Sequence, residues 1–266
     1  MRQIDIFKKE RALVILSGGQ DSTTCLFWAL HYFNEVHAVT FNYGQKHSIE
    51  IVSAKKVATL ADVASHEIIE IPNLLKSTSP LVDKNATLEQ YQNAEEMGDI
   101  IGDRIEKTFV PMRNMLFFTI AMNRAVELGC QNLISGICQE DNANYPDCTN
   151  QFKVSYFTAV NESLGINPHH GHKAHTMLTP LMNLSKSETV LLAKQLPGCW
   201  DALAYTHTSY DGKYPPTDKN HANVLRAEGF EKAGLPDPLV LRAMMEGLMS
   251  IPMTPNYDRF RVSMEV

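Results

Sequence analysis

The feature that most constrains this chain is the run Ser17-Gly18-Gly19-Gln20-Asp21-Ser22, set between a short apolar stretch, Ala12 to Leu16, and a segment of helical composition, Ser22 to Tyr32. That order reads as strand, Gly-rich turn and helix. Glycine adopts positive φ and lets the backbone approach a phosphate chain closely. The first amides of the helix then aim unsatisfied N–H groups and a partial positive charge at an anion. Ser17 and Ser22 add hydroxyl donors, and Asp21 is placed to hold magnesium, which neutralises charge developing on phosphates. A Gly turn with Asp and Ser capping a helix is the simpler alternative. Two glycines followed by Asp-Ser at a strand-to-helix junction favour the phosphate site.

The alternation continues down the chain. Val36 to Tyr43 reads as a second strand ending at Gly44, Ile49 to Ala61 as a helix and Glu67 to Ile71 as a third strand. Later segments read as helices over Asn114 to Leu128, Asn150 to Leu164 and Lys186 to Gln195, with a strand at Asn132 to Gly136. This pattern predicts an α/β fold, a parallel sheet flanked by helices on both faces. Between Leu74 and Lys107 the pattern fails, and turn formers and acidic residues predict a solvated loop or short surface helices, with a lid over an active site as the alternative. The expected organisation is a main domain over 1–200 and a small helical or irregular C-terminal subdomain over 201–266.

Composition narrows the class. The net charge of −6 gives no footprint for a nucleic-acid backbone, so small molecules or protein partners are expected. The 5 cysteines are odd in number and scattered, which predicts reduced thiols in a cytoplasmic protein. The N-terminal stretch lacks the h-region and cleavage site of a signal peptide, and no apolar run reaches membrane-spanning length.

The Ser17 to Ser22 loop resembles the PP-loop of ATP pyrophosphatases, in which the α-phosphate of ATP is attacked and pyrophosphate leaves. Four further stretches resemble the QueC family of 7-cyano-7-deazaguanine synthases in order and approximate spacing. They are Phe41-Asn42-Tyr43-Gly44-Gln45-Lys46-His47, Phe109-Val110-Pro111-Met112-Arg113-Asn114, Tyr145-Pro146-Asp147-Cys148, and Thr179-Pro180-Leu181-Met182 with Lys186 and Glu188. The resemblance implies a PP-loop ATP pyrophosphatase fold and an ATP-dependent carbon–nitrogen ligase. Such an enzyme adenylates the carboxylate of 7-carboxy-7-deazaguanine, adds ammonia, and dehydrates the amide to the nitrile through a second adenylation. It implies ATP and magnesium as cofactors and a homodimer.

Residue by residue, the resemblance places ATP on Ser17, Gly18, Gly19, Gln20, Asp21, Ser22, Phe41, Tyr43, Gly44 and Gln45. It places the deazaguanine substrate on Arg113, Asn114, Tyr145, Pro146, Asp147 and Cys148. Asp21, Ser22, Arg113 and Lys186 carry the chemistry, Arg113 as a fork and Lys186 as a point charge beside phosphates. Glu140 and Asp141 are further acids near the pocket, whereas a plain turn over Asn142 to Asp147 is the alternative. Cys148 has no nearby assignable base and is not expected to act as a nucleophile.

The chain departs from the family at its C-terminal zinc site. Arg226, Gly229, Phe230 and Ala233 to Pro238 keep the flanking pattern, but counting back from Arg226 puts Ser209, Thr217, Asn220 and Asn223 where thiolates should stand. Neutral hydroxyls and amides do not replace zinc thiolates, so no zinc is expected there. Rescue by His207, Asp218 and His221, or metal binding by His169, His170, His172 and His175, are weaker alternatives. Thr149 and Asn42 also differ from residues common in the family. These departures leave two acceptors open: ammonia, in ordinary nitrile synthesis, or a protein amine, as in QueC-like members of bacterial antiphage operons such as type IV CBASS. A non-catalytic nucleotide-binding module and a tRNA-directed pyrophosphatase are the remaining readings, the latter disfavoured by the absence of a basic stripe.

Overall fold

The computed structural model describes residues 7–45, 49–83, 85–139, 144–167, 170–208 and 212–262. The apolar run becomes β1 (Arg11–Ile15), and α1 (Gln20–Tyr32) follows the Gly-rich turn directly. Then come β2 (Glu35–Asn42), α2 (Ile49–Ala61), β3 (Ser65–Glu70), α3 (Ala94–Ile101), α4 (Arg113–Glu127) and β4 (Asn132–Ile134). After these follow α5 (Asn150–Ser163), β5 (Thr176–Leu178), α6 (Lys186–Gln195), α7 (Cys199–Leu203), α8 (His221–Lys232), α9 (Pro238–Met245) and α10 (Asp258–Val262).

The strands form one sheet in the order β3-β2-β1-β4-β5, and every neighbouring pair is parallel. Leu13 of β1 sits between His37 of β2 and Leu133 of β4, which fixes the register at the centre. Strand side chains alternate between faces. Ala12 and Val14 therefore pack with α1, α2, α6, α7 and α8 through Leu26, Val57, Val190, Leu203 and Phe230. Leu13 points the other way, to Phe118 and Met122 of α4 and Tyr156 and Phe157 of α5. Each large side chain buried in these two layers contributes roughly 1.5–3 kcal/mol, which is why a sheet covered on both faces is the stable outcome of this sequence.

The segment between 74 and 107 carries one of the short helices expected there, α3, and Tyr91, Met97 and Ile101 are buried against Val224 and Leu225 of α8. Asn93 caps α3 by accepting from the Glu96 N–H at 2.9 Å. The C-terminal part packs onto the core of the sheet. The boundary at 200 falls inside α7, and Cys199, Leu203 and Phe230 belong to the same core as β1. Arg226 and Asp237 lock this part in place as a buried pair, with the guanidinium donating at 2.6 and 2.8 Å. No helix among the described residues is long and apolar enough to cross a membrane.

Candidate active site

In an open parallel sheet ligands bind beyond the carboxyl ends of the strands, where the strand order reverses. Here that point lies between β1 and β4, and a cavity of about 610 Å³ opens there, lined by Ile15 to Ser17 and Gly19 to Ser22 on one side and Ser135 to Gln139 on the other.

The loop after β1 is held almost wholly by its own atoms. The Leu16 N–H still reaches the Val39 carbonyl at 2.8 Å, carrying the ladder up to Ser17. Gly18 has φ +88°, and a Cβ there would lie 2.4 Å from the Glu50 carbonyl oxygen and 2.8 Å from the Ala54 nitrogen. Only glycine fits this approach of loop to α2. The Ser22 hydroxyl donates to the Gly19 carbonyl at 3.1 Å and accepts from the Ser17 N–H at 3.2 Å, so it ties the loop together. Gly19 begins α1 without a side-chain cap, which leaves the anion-attracting helix end open toward the cavity. Gln20 is 4% exposed, and its Nε2 has no partner. A buried amide donor at a cavity wall is the kind of group a ligand oxygen satisfies.

Lys186 crosses from the start of α6 to this loop, its Nζ 2.9 Å from Asp21 Oδ2. A capping box between Ser185 and Glu188 fixes that helix end, so Glu188 has a structural role. From α8, Gly229 leaves room for the Lys186 stem, since a Cβ there would stand 2.6 Å from Lys186 Cγ. One carboxylate and one ammonium beside the loop would suit a magnesium-bound nucleotide, with Asp21 the residue that would hold the cation.

Arg113 opens α4 behind Met112, which takes the left-handed conformation at φ 64° and turns the chain into the helix. Its charge acts on several neighbours. Burial pushes the Tyr43 phenol up to about 12 and the Glu50 carboxyl up to about 7, and in both cases Arg113 pulls the other way. Burial also raises Asp147, again opposed by Arg113. Asn114 donates to Cys148 Sγ at 3.5 Å. Phe41 stacks on Phe117 with ring centroids 4.3 Å apart, giving the cavity a flat aromatic wall.

Of the residues singled out in the sequence, Ser17, Gly19, Gln20, Asp21, Ser22, Phe41, Tyr43, Gln45, Arg113, Asn114, Tyr145, Pro146, Cys148 and Lys186 share this cavity. Gly18 and Gly44 shape backbone, and Asp147 lies beside Asn114 and Cys148. Lys46, His47, Glu140 to Ala143, His169 and Ser209 lie outside the described residues. Sequence reasoning missed Glu50, Thr208, Ala222 and Leu225 as cavity residues; His207 and His221, named in the sequence only in a weaker metal-binding alternative, line this cavity. Among the described residues no group of three or more histidine, cysteine or acidic side chains converges. Asn220 caps α8 by accepting from the Asn223 N–H at 3.1 Å, and both asparagines donate side-chain N–H groups to Asp218.

A strand, a Gly-rich loop and an uncapped helix end at the switch point of a parallel sheet define an α/β nucleotide-site architecture of the PP-loop kind. The family model for the queuosine biosynthesis protein QueC matches residues 11–234. A 7-cyano-7-deazaguanine synthase from Gloeobacter violaceus is 44% identical over 86% of this chain and 95% of its own length. One from Chromobacterium violaceum is 43% identical over 89% of this chain and 96% of its own. A 4-thiouridine synthetase solved with RNA and ATP is a looser likeness, 16% identical with a TM-score of 0.39, covering 91% of this chain and 54% of that one. The chain belongs to the QueC family.

Proposed function

We propose that this chain uses ATP to adenylate the carboxylate of 7-carboxy-7-deazaguanine and passes it to ammonia, giving the amide and then, after a second adenylation, the nitrile. The observation that carries this reading is that the Ser17 to Ser22 loop, Arg113, Lys186 and the Tyr145 to Cys148 turn border one cavity of about 610 Å³. A nucleotide and a heterocyclic acid then meet without crossing solvent, and alignment of carboxylate and α-phosphate lowers the barrier by up to roughly 7 to 11 kcal/mol.

In this reading the loop amides and Gln20 hold phosphate oxygens, and Lys186 keeps Asp21 in place until the nucleotide arrives. Magnesium, when bound at Asp21, supplies neutralisation of phosphate charge. Arg113 holds the substrate carboxylate or the departing phosphates, while Asn114 and Tyr145 hold the heterocycle. Phe41 and Tyr43 flank the adenine or the ring of the substrate. The proposal extends to a cytoplasmic homodimer acting on a small molecule, in keeping with the net charge of −6.

Asp21→Ala tests the assignment. Pyrophosphate release dependent on 7-carboxy-7-deazaguanine should fall at least about 100-fold, with the fold retained by circular dichroism. Turnover within about 3-fold of wild type would remove Asp21 from the chemistry.

A further inference from the structure

The wall around Tyr145 is built from a segment that the substrate motifs do not include. Asn144 donates from Nδ2 to the Gly102 and Arg104 carbonyls at 2.8 and 2.9 Å, tying the residue before Tyr145 to residues 102–104. The Tyr145 ring leans on Phe109 with centroids 5.4 Å apart. Below it lies Glu106, only 2% exposed. Glu106 Oε2 accepts from the Thr108 N–H at 2.5 Å and from the Thr108 hydroxyl, and Thr108 Oγ1 is bonded in turn to the Tyr145 hydroxyl. On the far side the Tyr91 hydroxyl reaches Glu106 Oε1 at 3.4 Å and donates to Glu89 at 2.9 Å.

With Glu106 ionised, the protons in this chain of contacts have one arrangement. A carboxylate only accepts, and a threonine hydroxyl has a single proton. That proton goes to Glu106, so Thr108 Oγ1 meets Tyr145 as an acceptor and the phenolic O–H donates to it. Burial holds the Tyr145 phenol above its ordinary value, which keeps that proton on the phenol. Tyr145 is one of the cavity's lining residues, and a phenolic oxygen whose proton is committed to Thr108 can meet a ligand only with a lone pair.

We propose that Glu106, acting through Thr108, fixes Tyr145 as a hydrogen-bond acceptor at the cavity and so selects heterocycles with an N–H donor on the ring edge. This rests on the reading of the cavity as a 7-deazaguanine site, whose edge offers a ring N–H and an exocyclic amine. Glu106 and Thr108 are positioning residues. Removing Thr108's hydroxyl frees the phenol to turn its proton toward the ligand, and the preference for a donor is lost.

The test is equilibrium binding by calorimetry, which needs no turnover, using 7-carboxy-7-deazaguanine, its analogue lacking the exocyclic amine, and its analogue methylated at the ring N–H. Wild-type protein should bind the parent roughly 10-fold more tightly than at least one analogue, the worth of one partly buried hydrogen bond. Thr108→Val should shrink that ratio to about 2-fold or less with ATP affinity unchanged, and Thr108→Ser should restore it. Glu106→Gln should behave like Thr108→Val. The proposal is overturned if wild type binds all three compounds equally or binds none, if Thr108→Val discriminates as wild type does, or if Thr108→Ser does not rescue. Discriminating binding without any adenylation would sink the proposed reaction and leave this assignment standing.

Discussion

The two ends of the cavity are built by different means. At the end proposed to hold phosphate the hydrogen bonding is mostly local: Ser17, Gly19 and Ser22 bond one another within six consecutive residues. At the heterocycle end almost nothing is local. Tyr145 is bonded to Thr108, 37 residues away, and Cys148 to Asn114, 34 residues away. Backbone geometry can be encoded in a short motif, and it suits an anion held mainly by backbone N–H groups. A pocket that recognises one ring by its edge needs side chains assembled from several elements, each adjustable on its own.

The phosphate end also has long-range supports, from Lys186, α2 and the His207 backbone, and three changes sharpen the contrast. The largest effect is expected from Gly18→Ala, where φ +88° and a Cβ contact of 2.4 Å with the Glu50 carbonyl force loop and α2 apart. Substrate-dependent pyrophosphate release should drop by roughly 100-fold or more, as a misplaced reacting geometry costs on that scale; activity near wild type would show the loop tolerates what its packing forbids.

Arg226→Met probes the support that runs through His207. Arg226 donates to Asp237 and also at 2.8 Å to both the Thr206 and Thr208 hydroxyls, and the intervening His207 N–H donates to the Gly18 carbonyl at 2.9 Å. Leaving Asp237 buried and unpaired costs roughly 3–5 kcal/mol, so the melting temperature should fall by about 10 °C. A shift under about 2 °C would mean that the C-terminal helices hold by apolar packing alone.

The smallest effect is on pH dependence. Glu50 is raised from 4.5 to about 7 chiefly by burial. A carboxyl raised on folding favours the folded state while protonated, and that advantage is lost as pH rises from about 4.5 to about 7. Glu50→Gln should therefore flatten the fall in stability across that window, measured by urea unfolding at several pH values. An unchanged profile would place the carboxyl in contact with solvent or firmly paired with Arg113.

The same contrast explains what could be read from the sequence. The order strand, Gly-rich loop, helix survived translation into structure because both periodicity and the glycines are contiguous, and Ile49 to Ala61 and Lys186 to Gln195 have the bounds the pattern predicts. β5 was missed because it is three residues long with only Met177 buried. A short surface helix was among the expectations for 74–107, but the acidic residues hid the bounds of α3 and its buried stripe, Met97 and Ile101 at i, i+4 spacing. Glu106 and Thr108 gave no signal at all, being ordinary residues just before a recognisable motif, and only the fold brings them to Tyr145. Asp218 was noticed as a possible metal ligand, but the structure uses it to gather Asn220 and Asn223 at the start of α8.

The central claim is that both ends of the cavity act on one substrate, and the direct measurement is the mass of products after incubating the protein with magnesium ATP and 7-carboxy-7-deazaguanine, with and without ammonium. We expect AMP and pyrophosphate to form only when the heterocycle is present, and free 7-cyano-7-deazaguanine to appear only with ammonium. AMP without free nitrile would redirect the search to a protein amine as acceptor, and no heterocycle-dependent AMP under either condition would contradict the account.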